Sequence, residues 1–198
     1  MNVNGHPTRT ISPLPDLSGV SIIDQTRLPF RYERIILRTL DDAAEAISVM
    51  RVRGAPLIGA TAAYGVALAL SEGVDLERAC ATLVATRPTA VNLVWALGRV
   101  KSALAHLEGT EQTAEAWAEA AAICDEDVEM NRALGGHGAG LIRALAEKKA
   151  GPVNVLTHCN AGWLAAVDWG TAIAPIYAAH DAGVPVHVWV DETRPRNQ

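Results

Sequence analysis

Val153-Asn154-Val155-Leu156-Thr157 runs directly into His158-Cys159-Asn160-Ala161-Gly162, and a second short apolar run, Val186-His187-Val188-Trp189-Val190, comes later in the chain. Gly151-Pro152 precedes the first run and Gly183 the second, so each is a short β-branched stretch bounded by turn residues and reads as a strand. The spacing between them predicts a helix over 162–181. Two apolar strands joined by a helix make a βαβ unit with parallel strands. A parallel sheet needs several strands and cover on both faces, and two strands with one crossover helix supply neither. The expected class is therefore α/β, with a C-terminal parallel domain that is incomplete within 198 residues.

N-terminal to this unit the patterning changes. Residues 1–18, with Pro7, Pro13 and Pro15, read as an irregular lead-in, and Val20–Gln25 with Arg31–Arg38 as an antiparallel strand pair. From Asp41 onward the chain reads as helices. Asp41 or Asp42 is expected to cap the first, Pro56 opens a second that Gly73 ends, and Asp75–Ala85, Ala90–Leu107, Gln112–Leu134 and Ala139–Lys149 follow. The Gly135–Gly140 run reads as a hinge. The expected division is thus a lead-in over 1–18, a mostly helical domain with a small antiparallel sheet over 19–135, a linker with a short helix over 136–151, and the partial α/β domain over 152–198.

Composition limits the function classes. The chain is 49% hydrophobic and 20% charged, with 35 alanines and one Phe, which suits a closely packed, helix-rich core and excludes disorder over most of its length. A net charge of −5 gives no electrostatic reason to expect nucleic acid or an acidic membrane surface as partner. An anionic small molecule remains compatible, because one or two placed arginines suffice to grip a phosphate. Cys80, Cys124 and Cys159 form no CxxC pair and no Cys/His ligand spacing, which points to a reducing compartment. The expected location is cytoplasmic.

Four motifs carry candidate chemistry. In Arg51-Val52-Arg53-Gly54-Ala55-Pro56 a glycine turn opens a helix, where free N–H groups and the positive helix end favour an anion and Arg53 adds a grip on phosphate. In Arg87-Pro88-Thr89-Ala90-Val91-Asn92-Leu93 a loop arginine precedes a helix that Thr89 is placed to cap. The bland alternative for each is ordinary punctuation between helices. Thr157-His158-Cys159-Asn160-Ala161-Gly162 sits at the carboxyl end of a parallel strand, where open α/β sheets bind ligands, and a thiol just before a helix is placed to act as base or nucleophile. His158 should point to the opposite face and be buried and hydrogen-bonded, while Cys80 and Cys124 read as inert core. Asp191-Glu192-Thr193-Arg194-Pro195 falls at the same sheet edge if the strands are neighbours, its alternative being a charged tail.

Taken together in this order and spacing, R-G-A-P, R-P-T-A-V-N-L, T-H-C-N-A-G and D-E-T-R-P-R-N-Q resemble the methylthioribose-1-phosphate isomerases of methionine salvage, from about Val20 to Gln198. That family shares a superfamily with ribose-1,5-bisphosphate isomerases and the regulatory subunits of initiation factor 2B. The resemblance implies a helical N-terminal domain with a small sheet, then a Rossmann-like domain, assembled as a homodimer. It implies aldose–ketose isomerisation of 5-methylthioribose 1-phosphate, without metal or organic cofactor. It places substrate contacts at Arg53, Gly54, Ala55, Arg87 and Gln198, and the catalytic cysteine at Cys159. It also implies that members continue past residue 198 and carry a catalytic aspartate there, so the chain reads as truncated and its turnover as impaired.

Two other readings remain open at this point. One is isomerisation of a different 1-phosphorylated pentose, ribose 1,5-bisphosphate or 5-deoxyribose 1-phosphate. A second phosphate calls for basic residues and a methylthio group for an apolar pocket, and three lysines lean toward the latter. The other is a non-catalytic regulatory module of the initiation factor 2B type, against which a strand-end thiol argues.

Overall fold

The computed structural model describes residues 1–191. At its centre is α2 (Ala55–Ser71), in which every residue from Leu57 to Ala69 is buried. A helix that is apolar on all sides offers no face to water and has to be wrapped. Four helices wrap it: α1 (Leu40–Ser48), α3 (Leu76–Thr86), α4 (Val91–Leu104) and the long α5 (Gly109–Ala146). Small residues allow their close approach. A Cβ at Gly65 would stand 3.1 Å from Ala43 Cβ and 3.0 Å from Leu83 Cδ2, and one at Gly59 would stand 3.0 Å from the Asn92 carbonyl oxygen. Leu57, Leu68, Leu83, Leu93 and Leu104 fill the space between, each contributing roughly 1.5–3 kcal/mol by leaving water. Cys80 and Cys124 lie in this core, where burial pushes their thiols up to about 11 and about 12 and keeps them un-ionised.

Two helix starts differ from expectation. α1 is capped by Thr39 rather than Asp41 or Asp42. The Asp42 N–H donates to Thr39 Oγ1 at 3.0 Å and the Thr39 N–H donates to Asp42 Oδ2 at 3.2 Å, a reciprocal box that satisfies two orphan donors at once. Thr89 caps nothing. The Ala90 N–H closes a tight turn onto the Arg87 carbonyl at 3.0 Å, which makes Ala90 the N-cap and leaves Thr89 one residue early.

The lead-in is more ordered than its prolines suggest. A short hairpin, β1 (Asn2–Val3) with β2 (His6–Pro7), is followed by an antiparallel sheet of β3 (Ile11–Pro13), β4 (Val20–Ile23) and β5 (Arg34–Leu37). Ile22 faces Ile11 on one side and Ile35 on the other. Burying Ile11 against Ile22 draws residues 11–13 into the sheet. At the C-terminal side, β6 (Val153–Thr157) and β7 (Val186–Val190) pair in parallel from Val153 opposite Val186 to Thr157 opposite Val190, joined through α6 (Ala174–Asp181). Val153 and Ala179 pack with Ala139 and Ile142 of α5.

The Gly135–Gly140 run is not a hinge. It lies inside α5, which continues to Ala146, so most of the expected linker is helix. The glycines form a seat instead: a Cβ at Gly138 would stand 2.5 Å from Pro175 Cβ, and one at Gly135 would stand 3.1 Å from the Ala174 carbonyl oxygen, so the start of α6 rests on the α5 backbone. The expected helix over 162–181 is correspondingly shorter. Residues 162–173 hold a single 3-10 turn, Trp163–Ala165, and the backbone groups of Leu164, Ala166 and Val167 are bonded to Gln25, Thr10 and Asp127 of the N-terminal half.

A pair of substitutions checks the seat. Gly136 meets open space and sits mid-helix, so Gly136→Ala should raise stability by up to about 1 kcal/mol, whereas Gly138→Ala should lower it by about 1–3 kcal/mol through collision with Pro175. Urea unfolding of the two variants gives both values, and the opposite ordering would contradict a continuous helix here.

Candidate functional site

The turn that leads through Arg53-Gly54-Ala55-Pro56 into α2 is anchored by the two residues before it, Arg51 and Val52. Arg51 serves the fold: its guanidinium donates to Asp24 Oδ2 at 2.6 Å and Glu45 Oε1 at 2.9 Å. Asp24 is 1% exposed. Burial pushes its carboxyl up, but the Thr26 hydroxyl and N–H together with Arg51 outweigh that and hold it below the usual range. Val52 is fully buried and pins the turn. Arg53 is half-buried, and Gly54 is the N-cap of α2 with no side chain capping it, so the start of this helix presents backbone rather than side chain.

Gly54 joins the two halves of the molecule. Its φ of +102° is closed to other residues, and a Cβ there would stand 2.4 Å from both Cα and the carbonyl oxygen of Ala165. The R-G-A-P turn therefore touches the backbone of the segment that follows Cys159. That segment is strapped down by polar contacts: the Thr10 N–H donates to Val167 O at 3.0 Å, Thr10 Oγ1 to Ala166 O at 2.6 Å, and Gln25 Nε2 to Leu164 O at 2.6 Å. From α5, Asp127 Oδ2 accepts the Val167 N–H at 2.8 Å and Asn131 Nδ2 donates to Asp127 Oδ1 at 3.1 Å. Burial pushes the Asp127 carboxyl up, and neighbouring Asp168 adds to this, against the opposing hydrogen bonds from Val167 and Asn131.

Cys159 lies two residues beyond the end of β6 and is exposed, with a φ of +70°. Such a backbone is uncommon for a side chain of this size and costs of order 1–3 kcal/mol, a kind of strain that clusters at functional sites. The expected helix start beside the thiol is absent, since a 3-10 turn follows and α6 begins only at Ala174. His158 is exposed rather than buried, its Nδ1 standing 3.5 Å from Asp191 Oδ2. The Asp191 N–H donates to the Thr157 carbonyl at 3.1 Å, so the D-E-T-R-P motif starts at the same sheet edge as Cys159. Gln198 and the rest of that motif lie outside the described residues.

Around Cys159, Thr157 Oγ1, Asn160 Nδ2 and Trp163 Nε1 are buried without a hydrogen-bond partner. Each such atom costs about 1–3 kcal/mol if nothing satisfies it, and all three lie within four residues of one strained cysteine. Trp163 carried no signal in the sequence. The starts of α2 and α4 lie side by side, as the Gly59–Asn92 approach requires. Between them and the middle of α5 opens a cleft of about 490 Å³ that includes Pro56, Val91, Asn92, Trp95, Asp127 and Thr171. The structure thus brings together the R-G-A-P turn, the helix after Arg87 and the loop after Cys159. Arg87 itself ends α3, half-buried in the turn to α4.

In this mixed α/β chain the starts of α2 and α4, the middle of α5 and Thr171 enclose a concave cleft, the kind of place where small molecules bind. The sequence profile of the Initiation factor 2 subunit family matches residues 51–198. The methylthioribose-1-phosphate isomerase of Methylorubrum populi is 62% identical over 201 residues, which are 100% of this chain and 55% of that protein. The crystal structure of 5-methylthioribose 1-phosphate isomerase from Pyrococcus horikoshii superposes with a TM-score of 0.80 at 36% identity, over 95% of this chain and 53% of that one. The translation initiation factor eIF-2B subunit delta from A. fulgidus superposes with a TM-score of 0.79 at 39% identity, over 95% of this chain and 55% of that one. This chain belongs to the Initiation factor 2 subunit family. It spans about half the length of the curated relatives it matches.

Two measurements check the site's construction. Gly54→Ala should cost at least ~2 kcal/mol in urea unfolding, because both the dihedral and the Ala165 contact forbid a Cβ. Carboxyl-carbon NMR across a pH titration should place the Asp127 midpoint above, and the Asp24 midpoint below, an ordinary aspartate. The linkage signs then differ. Asp24 contributes stability above its unfolded-state pKa that is lost as pH falls through its lowered midpoint. Asp127 carries a penalty when ionised that disappears as pH falls through its raised midpoint.

Proposed function

We propose that the chain forms the N-terminal domain and the beginning of the C-terminal domain of an aldose–ketose isomerase that converts 5-methylthioribose 1-phosphate to 5-methylthioribulose 1-phosphate. The observation that carries the reading is the Gly54–Ala165 contact, which places the helix start after Arg53 against the loop that follows Cys159. Because the phosphate occupies the anomeric oxygen, the ring does not open as a free hemiacetal. The C1–ring-oxygen bond has to break with a proton delivered to that oxygen, and the hydrogen on C2 has to reach C1 as the C2 hydroxyl becomes a carbonyl. Arg53, Gly54 and Ala55 bind the phosphate at the α2 start, Arg87 and Gln198 add contacts, and Cys159 acts at C1–C2.

The remaining architecture belongs to the same proposal. The β6–α6–β7 unit is the start of a Rossmann-like sheet, with the helical domain ending near residue 135 and the parallel domain beginning near 152. Two separate hydrophobic clusters support that division. The assembly is a homodimer, located in the cytoplasm; among the described residues no helix is long and apolar enough to cross a membrane. A purely regulatory role is compatible with the fold, which a translation initiation factor subunit shares. The strained, exposed Cys159 beside three unpartnered polar atoms favours the enzyme.

The test uses a chimera that joins this chain to the unmatched part of the Methylorubrum populi isomerase, followed by phosphorus NMR of 5-methylthioribose 1-phosphate. Cys159→Ser should lower kcat at least ~10²-fold with KM within about threefold. Arg53→Ala should instead raise KM strongly, as loss of a charge-assisted phosphate contact does. An unchanged rate in Cys159→Ser removes Cys159 from the mechanism, and a chimera that folds but turns over no 1-phosphorylated pentose overturns the reading.

A further inference from the structure

The segment after Cys159 is a closed loop over residues 161–173. At its neck Gly170, with φ +83°, meets Gly162, and a Cβ at position 170 would stand 2.6 Å from Gly162 Cα. The Thr171 hydroxyl and the Ile173 N–H both donate to the Ala161 carbonyl, each at 3.4 Å. Cys159 lies two residues before Ala161, so whatever holds the body of the loop also sets where the thiol stands.

The body is held from α5 by one carboxylate. Val167 is fully buried, and its N–H donates to Asp127 Oδ2 at 2.8 Å. The other oxygen, Oδ1, accepts from Asn131 Nδ2 at 3.1 Å, one turn along the helix, and the same amide reaches the Asp168 carbonyl at 3.5 Å. Both Asp127 oxygens are thus engaged within the protein, which places this side chain to hold the loop although it borders the cleft. Thr10 and Gln25 donate to the carbonyls of Val167, Ala166 and Leu164. A buried carbonyl tolerates partial loss of its donors better than a buried N–H tolerates loss of its acceptor. No water reaches the Val167 N–H, so without Asp127 the loop has to shift until that group finds a partner.

We propose that Asp127, braced by Asn131, is a positioning residue for the isomerisation: it fixes Val167 and, through the Gly162–Gly170 neck, sets where Cys159 stands relative to the phosphate at the α2 start. The assignment rests on the isomerase reading above. The phosphate is held by the N-terminal half and the thiol by the strand-end loop, so the chemistry depends on the offset between two bodies. The Gly54–Ala165 contact limits how closely they approach and does not stop the loop from lifting away. The Asp127–Val167 bond, two residues further on, does. A misplacement of about 1 Å is enough to cost roughly 10²-fold in rate. Loss of Asp127 therefore slows the reaction without loosening the grip of Arg53 and the α2 start on phosphate.

Two readouts test the assignment: kinetics of the chimera with the Methylorubrum populi isomerase, and backbone amide NMR of the 198-residue chain. Asp127→Ala should lower kcat at least about tenfold with KM within about threefold. Asp127→Asn, whose amide oxygen still accepts from Val167, should recover most of the lost rate. In the chain alone, Asp127→Ala should shift the amides of residues 159–162, and Asp127→Asn should return them toward their original positions. If Asp127→Ala fails a circular-dichroism check of folding, Asn131→Ala, which keeps the Val167 bond and removes the brace, should give the same pattern at smaller amplitude. A loss of thermal stability with kcat and the 159–162 amides unchanged, or a loss expressed in KM alone, overturns the assignment and leaves the isomerase reading in place. If the unsubstituted chimera folds but turns over no 1-phosphorylated pentose, both fall.

Discussion

The backbone contact between Gly54 and Ala165 is the constraint on which the rest of the structure depends. A Cβ at position 54 would stand 2.4 Å from Ala165 Cα, so no residue but glycine lets the turn before α2 meet the segment after Cys159. A glycine mid-sequence is entropically costly, by roughly 0.5–1 kcal/mol relative to alanine in regular structure, and here the cost is offset by what the contact permits. It brings an uncapped helix start and a strand-end loop to one place. Without it the N-terminal helical body and the β6–α6–β7 unit would be joined mainly through α5.

The contact is maintained by polar groups that the hydrophobic pattern does not reveal. Thr10, Gln25, Asp127 and Asn131 reach the strap over 164–168 from three different elements of the N-terminal half. Buried hydrogen bonds of this kind contribute about 0.5–1.5 kcal/mol each, but removing one partner leaves the other unsatisfied at greater cost. They therefore hold the strap in one position more than they stabilise the protein. The glycine seat on α5 does the same for α6, where Pro175 lies against Gly138. A rigid strap and a seated helix keep the loop around Cys159 in a strained conformation that it would otherwise relax.

Local signals read well where one physical cause dominates. The strands at 153–157 and 186–190 are short apolar runs between turn residues, and they form with those bounds and pair in parallel. α2 follows from Pro56 and its unbroken apolar run. Reading failed where tertiary contacts outweighed local preference. Gly135–Gly140 looks like a hinge until Ala174 and Pro175 are seen against its glycines. Residues 162–173 have helical composition, but within them Leu164, Ala166 and Val167 place backbone groups on Gln25, Thr10 and Asp127 instead. Cys159 and the R-G-A-P turn were legible as a strand end and a helix start. The unpartnered atoms of Asn160 and Trp163 were not, because burial without a partner exists only once the chain is folded.

The central claim is that the R-G-A-P turn and the loop around Cys159 form a single ligand site. Backbone amide NMR of the chain during titration with 5-methylthioribose 1-phosphate tests it most directly. The account predicts that the amides of Gly54 and Ala55 and those of residues 157–163 shift together and yield one dissociation constant. Shifts confined to one of the two segments, or two unrelated constants, would contradict it.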